Sequence, residues 1–576
     1  MCGIAGMILD RKVDRNEFKK MLDFLTHRGP DEEGIYETEQ AILGIKRLMI
    51  IDMETGKQPQ HNETGDLTII FNGEIYNYKE VRHELKGKHT FKTRSDTEVI
   101  IHAYEEYGEE CVHHFNGMFA FAIWDKKKLF IARDRIGKKP LYYYHKKGMF
   151  LFASEIKAIL GIVDCNSKIP ENLFVFENPL DGETLFEDIY TLPRSSKLIY
   201  ENNKLRIEKY WDIDVEPDYS MSEKECIEKL RWLIEDAVHL RLRSDVPIGC
   251  FLSGGLDSSI ITCLAKPERV FICNFPYGNK YDELHYAELV ADYVGSIKHI
   301  VKPTAKDFQE LLPHIIYMLD QPVGTAAPIA EFMLNQEASK YVKVLLSGLG
   351  TDEFFGGYMR HLFMLMEDNI VNNPAIKNYT SLAKYFWGDK FFDPMYKRYL
   401  QLIQRGEPVT DKPLQRVKNT FSKFKDIINQ ISYTDFQISL PGLLMMSDRA
   451  SSAYSTESRS PFLDYRIIEF SYKMPPELKI KNNRTKYIIH KVAEGIVPEP
   501  ILKRKEKMGF TVPMNHWLSN SLKDWSTISI ENLKQRNLNF DMNNDSPRGE
   551  FDRKKYQRLS LELWYQIFID KTVMSE

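Results

Sequence analysis

Along residues 1 to about 205, short apolar runs alternate with turns rich in Gly, Asp and Lys: "AILGIKRLMII", "LTIIFNGEIY", "MFAFAIWD", "KLFIARDRIG", "KPLYYYHKKG" and "MFLFAS". Runs this dense in β-branched and aromatic residues predict stacked antiparallel sheets with a few helices, an α+β arrangement. One helix is predicted at "SDTEVIIHAYEEYG", where Ser95 and Glu98 fit a capping box and Val99, Ile100, Ala103 and Tyr107 recur on one face. After Tyr210-Trp211 the polar stretch "DVEPDYSMSEKE" reads as a linker, and then the rhythm changes. Ile227, Leu230, Ile234, Ala237, Val238 and Arg241 keep a helical period. "VPIGCFLSGGLDSSIITCLA" follows as a buried strand, a Gly-rich turn and a helix beginning near Leu256. Further apolar strands at Val270–Phe275 and Tyr341–Leu346 alternate with helical segments, which predicts a doubly wound parallel sheet. Residues from about 360 to 540 read as mainly helical, an Asn-rich loop covers 537–545, and a last amphipathic helix carries Leu559, Leu563, Trp564 and Phe568. The expected division is 1–210, a linker at 211–222, a second domain at 223–525 and a helical extension at 526–576.

The composition agrees with this and excludes several classes. The chain has 576 residues, 43% hydrophobic and 28% charged, enough apolar surface for more than one core. Lys+Arg 78 against Asp+Glu 82 leaves a net charge of −4 without a long basic run, which disfavours a nucleic-acid partner. No apolar stretch approaches the ~18–20 residues that span a bilayer, and the first residues lack a signal-peptide pattern, so a cytoplasmic protein is expected. The seven cysteines (Cys2, Cys111, Cys165, Cys226, Cys250, Cys263, Cys273) include no C-x-x-C pair.

Cys2 is the cysteine in an unusual position. Removal of the initiator methionine would leave its thiol beside a free α-amine, which titrates near ~7.7–8.0 where a lysine waits until ~10.4. Nucleophile and general base then come from one residue; the other reading is an early residue of a buried strand. Asn72-Gly73 in "FNGEIYNY" offers a side-chain amide beside an unhindered N–H, a donor pair for an oxyanion, although Asn-Gly is also the strongest short hairpin signal. Arg47 suits an α-carboxylate and Glu74 and Asp96 suit an α-ammonium, while Asp96 also fits the first turn of a helix.

Taken together, "MCGIAG", "HRGPD" (His27 to Asp31), "RLMIID", "FNGEIYN", "SDTEV", "FNGMFAFAIWD" and "ARDRIGKKPLYY" resemble, in order and spacing, the class II glutamine amidotransferase domain of asparagine synthetases. The resemblance covers residues 1–200 and implies an N-terminal-nucleophile αββα sandwich. It implies Cys2 as the nucleophile on the glutamine amide and Asn72 and Gly73 as the oxyanion hole. Glutamine would be held by Arg47, Leu48, Met49, Ile50, Ile51, Asn72, Gly73, Glu74 and Asp96.

"FLSGGLDSS" places Ser253, Gly254, Gly255, Asp257, Ser258 and Ser259 between a strand and a helix, where backbone N–H groups and hydroxyls bind anions. It lacks the lysine of a Walker loop. In "LLSGLGTDEFFGGY", Ser347 and Gly348 end a strand and Asp352 and Glu353 follow; Asp257 with Asp352 would suit Mg²⁺. "KEKMGFTVP" brings Lys507, and "STESRSPFLD" brings Glu457 and Arg459, charged residues of a kind that usually lie in solvent. The stretch 225–520 is similar to the synthetase domain of asparagine synthetases and the related β-lactam synthetases, of the ATP-pyrophosphatase type. That likeness implies ATP contacts from Leu252, Ser253, Gly254, Gly255, Asp257, Ser258, Ser347 and Gly348, an adenine contact at or near Phe275, and Lys507 at the adenylation transition state. Two departures stand out: Leu349 replaces a family Glu credited with helping ammonia attack, and "STESRSPFLD" replaces "GVEARVPFLD". Leucine moves no protons, so Glu353 or the departing AMP phosphate would have to do so, or the acceptor is not aspartate.

The resulting expectation is a glutamine-hydrolysing asparagine synthetase that uses glutamine, ATP, Mg²⁺ and aspartate through an acyl-adenylate, compatible with a homodimer. The alternatives are amidation of another carboxylate (a uronic acid, a peptide or a β-lactam precursor) and a non-catalytic sensor of glutamine or nucleotide.

Overall fold

The structure, a computed structural model, describes residues 1–146, 148–278, 281–371, 393–406, 410–504, 512–536 and 553–572. The Asn-rich loop at 537–545 and Lys507 lie outside them.

Two six-stranded sheets built from the first 209 residues face each other. The first runs β10 (Ile189–Thr191), β8 (Tyr142–Lys146), β9 (Met149–Ala153), β1 (Gly3–Leu9), β3 (Ala41–Arg47), β2 (Glu32–Glu37). The second runs β12 (Lys204–Lys209), β11 (Ser196–Glu201), β7 (Lys128–Arg133), β6 (Gly117–Asp125), β5 (Leu67–Ile75), β4 (Gln60–His61). Their pairings are antiparallel, as the β-branched and aromatic runs lead one to expect. Ile4, Ile8, Leu43 and Ile45 of one sheet meet Ile70, Ala120 and Ile131 of the other in a dry middle layer. The helix Arg15–Asp23 covers β1 and β3, and Asp96–Tyr107 covers β5, which completes the αββα order.

The third sheet is parallel throughout, in the order β15 (Ile297–Val301), β14 (Arg269–Cys273), β13 (Ile248–Phe251), β16 (Val344–Leu346), β17 (Glu457–Arg459). Its strand order reverses between β13 and β16, and in open sheets of this kind ligands bind outside the carboxyl ends at that reversal. Both loops singled out in the sequence leave the sheet there.

Several local expectations change. Asn72-Gly73 forms no hairpin turn; it lies inside β5, with Asn72 opposite Ala120 and Gly73 opposite Phe119 of β6. Ser95 does cap its helix, accepting from the Thr97 N–H, but Glu98 closes no capping box because its carboxylate accepts from the Lys92 and Thr93 N–H groups instead. The run "RLMII" leaves the strand after Arg47 because Leu48, Ile50 and Ile51 bury against Val344 of the second domain rather than inside the sandwich. The last helix, Lys554–Phe568, packs by Trp564 and Leu559 into the same core as Phe308 and Leu312. Among the described residues no helix is long and apolar enough to cross a membrane.

Candidate active site

Cys2 precedes β1 and packs against the middle layer of the sandwich, the layer that also holds Ala120, the cross-strand partner of Asn72. Its Sγ lies 3.8 Å from the Leu48 carbonyl, and its own carbonyl accepts from Arg28 Nε at 2.9 Å. Burial pushes the thiol's pKa up, against the pull of the nearby amino terminus. Met1 is fully buried; its α-amine donates to the Thr456 carbonyl at 3.2 Å, and burial pushes that amine down to about 5. The Asn72 side chain is also fully buried, and neither its Oδ1 nor its Nδ2 has a hydrogen-bond partner. An unpaired buried amide is costly to leave empty, and it is the kind of donor an oxyanion would satisfy. A Cβ on Gly73, whose φ is +153°, would lie 2.1 Å from the Met118 carbonyl, so only glycine keeps this strand straight beside Asn72.

The three residues read as glutamine clamps are engaged with protein groups. Arg47 binds Glu32 at 2.9 Å and the Ile51 and Asp52 carbonyls at 3.1 and 2.9 Å, which fixes the 48–52 loop. That loop is seated on the second domain: the Asp245 N–H donates to the Ile50 carbonyl at 3.0 Å, and Asp245 Oδ2 accepts from the Asp52 N–H at 2.8 Å. The Met49 N–H bonds Asp31, whose carboxylate also meets Lys343 at 2.7 Å. Glu74 pairs with Arg459 at 3.0 Å. Asp96 accepts from the Ile75 N–H at 3.0 Å, and burial pushes its carboxyl up to about 6. Leu48, Ile50 and Ile51 point their side chains into the domain interface, so only their backbone is left to face a substrate.

At the strand-order reversal, the Ser253–Gly255 turn is closed by its own hydroxyls: Ser258 Oγ accepts from the Ser253 N–H at 3.2 Å, and Ser253 Oγ accepts from the Gly255 N–H at 3.3 Å. Gly254 sits at φ +70°, and a Cβ there would lie 2.5 Å from Ala287 N. The loop after β16 presses on this turn so closely that a Cβ on Gly348 would be 2.7 Å from Ser258 N. Ser347 donates its N–H to the Arg459 carbonyl at 2.9 Å, and its hydroxyl lies 3.1 Å from that of Ser460. Leu252 is buried beside Phe271, to whose carbonyl its N–H donates. Phe275 follows β14 at the same sheet edge, but its ring is buried against Trp517 and serves the core.

Asp257 and Asp352 do converge. The Lys486 ammonium bridges them, 2.7 Å from Asp257 Oδ2 and 2.6 Å from Asp352 Oδ1, and donates to Thr351 Oγ1 at 3.1 Å. Two carboxylates that gather one cation this closely form a donor set that fits Mg²⁺. The sequence reading missed Lys486, which is buried and held at φ +52°, a left-handed conformation that costs a non-glycine residue roughly 1–3 kcal/mol. Its only sequence signal is negative: "NNRTK" reads as a surface turn. Glu353 is buried behind this pair, accepts from the Tyr358 hydroxyl at 2.5 Å, and is pushed up to about 7 by burial and then by Asp352. Leu349 packs beside the core that contains Phe462 and Leu463.

Glu457 and Arg459, expected in solvent, are buried on β17 between the two domains. Arg459 Nε binds Glu457 at 2.9 Å, and Nη1 donates to the Arg241 and Arg243 carbonyls. Below them lies a second charged set that joins both domains. Arg28 meets Glu155 at 2.7 Å and Asp448 at 3.0 Å, Arg449 meets Glu155 at 2.7 Å and Asp320 at 2.9 Å, and Lys157 pairs with both Glu155 and Asp320.

A family model described as "Asparagine synthase" matches residues 229–564, and one described as "Glutamine amidotransferase domain" matches residues 1–211. Asparagine synthetase [glutamine-hydrolyzing] 1 of Bacillus subtilis (strain 168) is 33% identical, with 100% of this chain and 98% of that protein covered. Asparagine synthetase [glutamine-hydrolyzing] 3 of the same strain is 33% identical over 88% of this chain and 86% of its own length. The putative asparagine synthetase [glutamine-hydrolyzing] 2 of Methanocaldococcus jannaschii is 37% identical over 63% of this chain and 76% of its own.

Proposed function

The chain belongs to the glutamine-hydrolysing asparagine synthetase family, and from that premise we propose that it converts aspartate to asparagine with ammonia it takes from glutamine. The observation that carries the coupling of the two half-reactions is β17: the Arg459 side chain at its end pairs with Glu74 of the first domain at 3.0 Å, and the Arg459 carbonyl accepts from the Ser347 N–H at 2.9 Å.

In this reading Met1 is removed and the Cys2 amine takes over as base. The thiolate attacks the glutamine amide carbon, and Asn72 Nδ2 with the Gly73 N–H stabilises the resulting oxyanion. Arg47 takes the substrate carboxylate, and Glu74 and Asp96 take its ammonium, each trading part of its present bonding for the substrate. Collapse of the oxyanion breaks the C–N bond and expels ammonia with the proton that the α-amine took from the thiol; water then cleaves the thioester to glutamate. Met1 removal would also vacate a buried, water-poor volume beside Cys2, Lys139 and Glu457, where ammonia would stay unprotonated.

At the second site ATP is a substrate whose β- and γ-phosphates lie on the Ser253–Ser258 turn and whose α-phosphorus is attacked by the aspartate side chain. Asp257 and Asp352 would hold Mg²⁺, which when bound offsets the charge of the pyrophosphate leaving group. Lys486 supplies the positive charge at the α-phosphate, the role expected of Lys507. Ammonia displaces AMP from the acyl-adenylate, and Glu353, whose carboxyl burial pushes up to about 7, would take the proton that Leu349 cannot.

A second reading, amidation of a different carboxylate, is favoured by Leu349 alone. Incubating the protein with glutamine, MgATP and a panel of carboxylic acids decides between them by mass spectrometry of the amide. Asparagine with equimolar AMP supports the first reading; an amide of another acid alone refutes it.

A further inference from the structure

In the helical layer that covers β5, four metal-ligating side chains meet. His102 and Glu105 come from the helix Asp96–Tyr107, His89 from the connection that precedes it, and Glu63 from the turn between β4 and β5. One donor atom from each lies within 4.8 Å of the other three. His102 Nδ1 is 2.8 Å from Glu105 Oε2 and 3.5 Å from Glu63 Oε2, and His89 Nδ1 is 3.5 Å from Glu105 Oε2 and 3.5 Å from Glu63 Oε1. With zinc–ligand bonds of about 2.0–2.2 Å, a tetrahedron separates neighbouring donors by roughly 3.3–3.5 Å. Three of the four separations reach that value, the two from Glu63 through different oxygens, and the fourth, His102 to Glu105, is shorter.

The surroundings point the same way. Each imidazole turns Nδ1 inward; the distal Nε2 of His89 meets Glu106 at 3.2 Å, while that of His102 lies 3.8 Å from Glu98 without a hydrogen bond. A carboxylate behind the distal nitrogen, as at His89, fixes the ring and raises its basicity in metal sites. Glu98 is itself held by the Lys92 and Thr93 N–H groups, and Glu105 accepts from Asn62 Nδ2 at 2.8 Å. The His102 side chain is only 1% exposed and the His89 side chain 10%. Simple surface ion pairing does not need two imidazoles stacked with centroids 4.6 Å apart and the same nitrogen facing one point.

We propose that Glu63, His89, His102 and Glu105 form a structural site for a divalent first-row transition metal of the Zn²⁺ class. Two nitrogens and two carboxylate oxygens suit such an ion, and four protein ligands close the shell, as in structural rather than catalytic sites. The metal would pin the β4–β5 turn and the 86–92 connection to the helix whose first residue is Asp96.

The test uses the full chain, stripped with chelator and then exposed to Zn²⁺ alone or Co²⁺ alone. Wild type should retain about one Zn²⁺ per chain after gel filtration, give the visible bands of four-coordinate Co²⁺, and melt at a higher temperature with Zn²⁺ than without. His89→Ala and the near-isosteric Glu63→Gln should lose the retained zinc and the melting shift, while His83→Ala, on the neighbouring helix, should keep both. No retained zinc in wild type overturns the site, and so does retention by His89→Ala and Glu63→Gln at the wild-type level.

Discussion

Glu74 of β5 and Arg459 of β17 form a buried ion pair, 3.0 Å long, between a residue of the proposed glutamine site and the strand whose Arg459 carbonyl holds Ser347 of the proposed nucleotide loops. Breaking such a pair from one side leaves an uncompensated buried charge. Arg459→Met should therefore destabilise the protein by roughly 3–5 kcal/mol, and adding Glu74→Gln should recover part of the loss. Chemical denaturation of the two single variants and the double variant measures this; additive losses would mean the pair is not coupled.

The same pair marks a limit of sequence reading. A charged "STESRS" segment carries no apolar period, so nothing local says that Glu457 and Arg459 are buried; the partners that make burial tolerable, Glu74 and Lys139, are distant in the chain. Lys486 was hidden for the same reason, since its partners Asp257 and Asp352 lie far upstream in separate loops. By contrast, the strands of both domains and the turn before Leu256 were legible, because alternation, apolar runs and glycines are local signals. Of the two readings that Asn72-Gly73 offered, the hairpin turn is excluded by its place in β5, which is set by pairing with β6 and not by the dipeptide itself.

Lys486→Ala should slow pyrophosphate release by ~10²–10³-fold, the scale of removing one preorganised charge or donor from a transition state. The loss should be the same with glutamine or ammonium as nitrogen source. Without the lysine, Asp257 and Asp352 face each other, so Mg²⁺ should raise the melting temperature of the variant more than that of wild type. Unchanged pyrophosphate release would remove Lys486 from the chemistry.

Gly348→Ala places a methyl against the Ser258 amide. Nucleotide-dependent turnover should fall at least tenfold while glutamine hydrolysis by itself continues, as read by separate AMP and glutamate assays. A variant with normal AMP formation would show that the two loops need not touch.

Asp96 gives a pH dependence with a definite sign. Its carboxyl is pushed up to about 6 by burial, so as pH falls through 6 it protonates, and in the proposed site it can then no longer pair with the glutamine ammonium. The kcat/KM for glutamine should drop about tenfold per pH unit below that point, and the ammonium-driven reaction should not share the limb. For stability, a raised carboxyl favours the folded state below its unfolded value near ~3.9 and loses that contribution as pH rises through about 6. Asp96→Asn should thus be more stable than wild type at pH 8 and lose the advantage at low pH, as followed by denaturation at both ends.

The most direct test of the two-site account is Cys2→Ala, assayed for amide and AMP with glutamine and, separately, with ammonium. The account requires that the glutamine-driven product vanish while the ammonium-driven product and its AMP persist near the wild-type rate. Product from glutamine, or loss of both reactions in a folded variant, would contradict it.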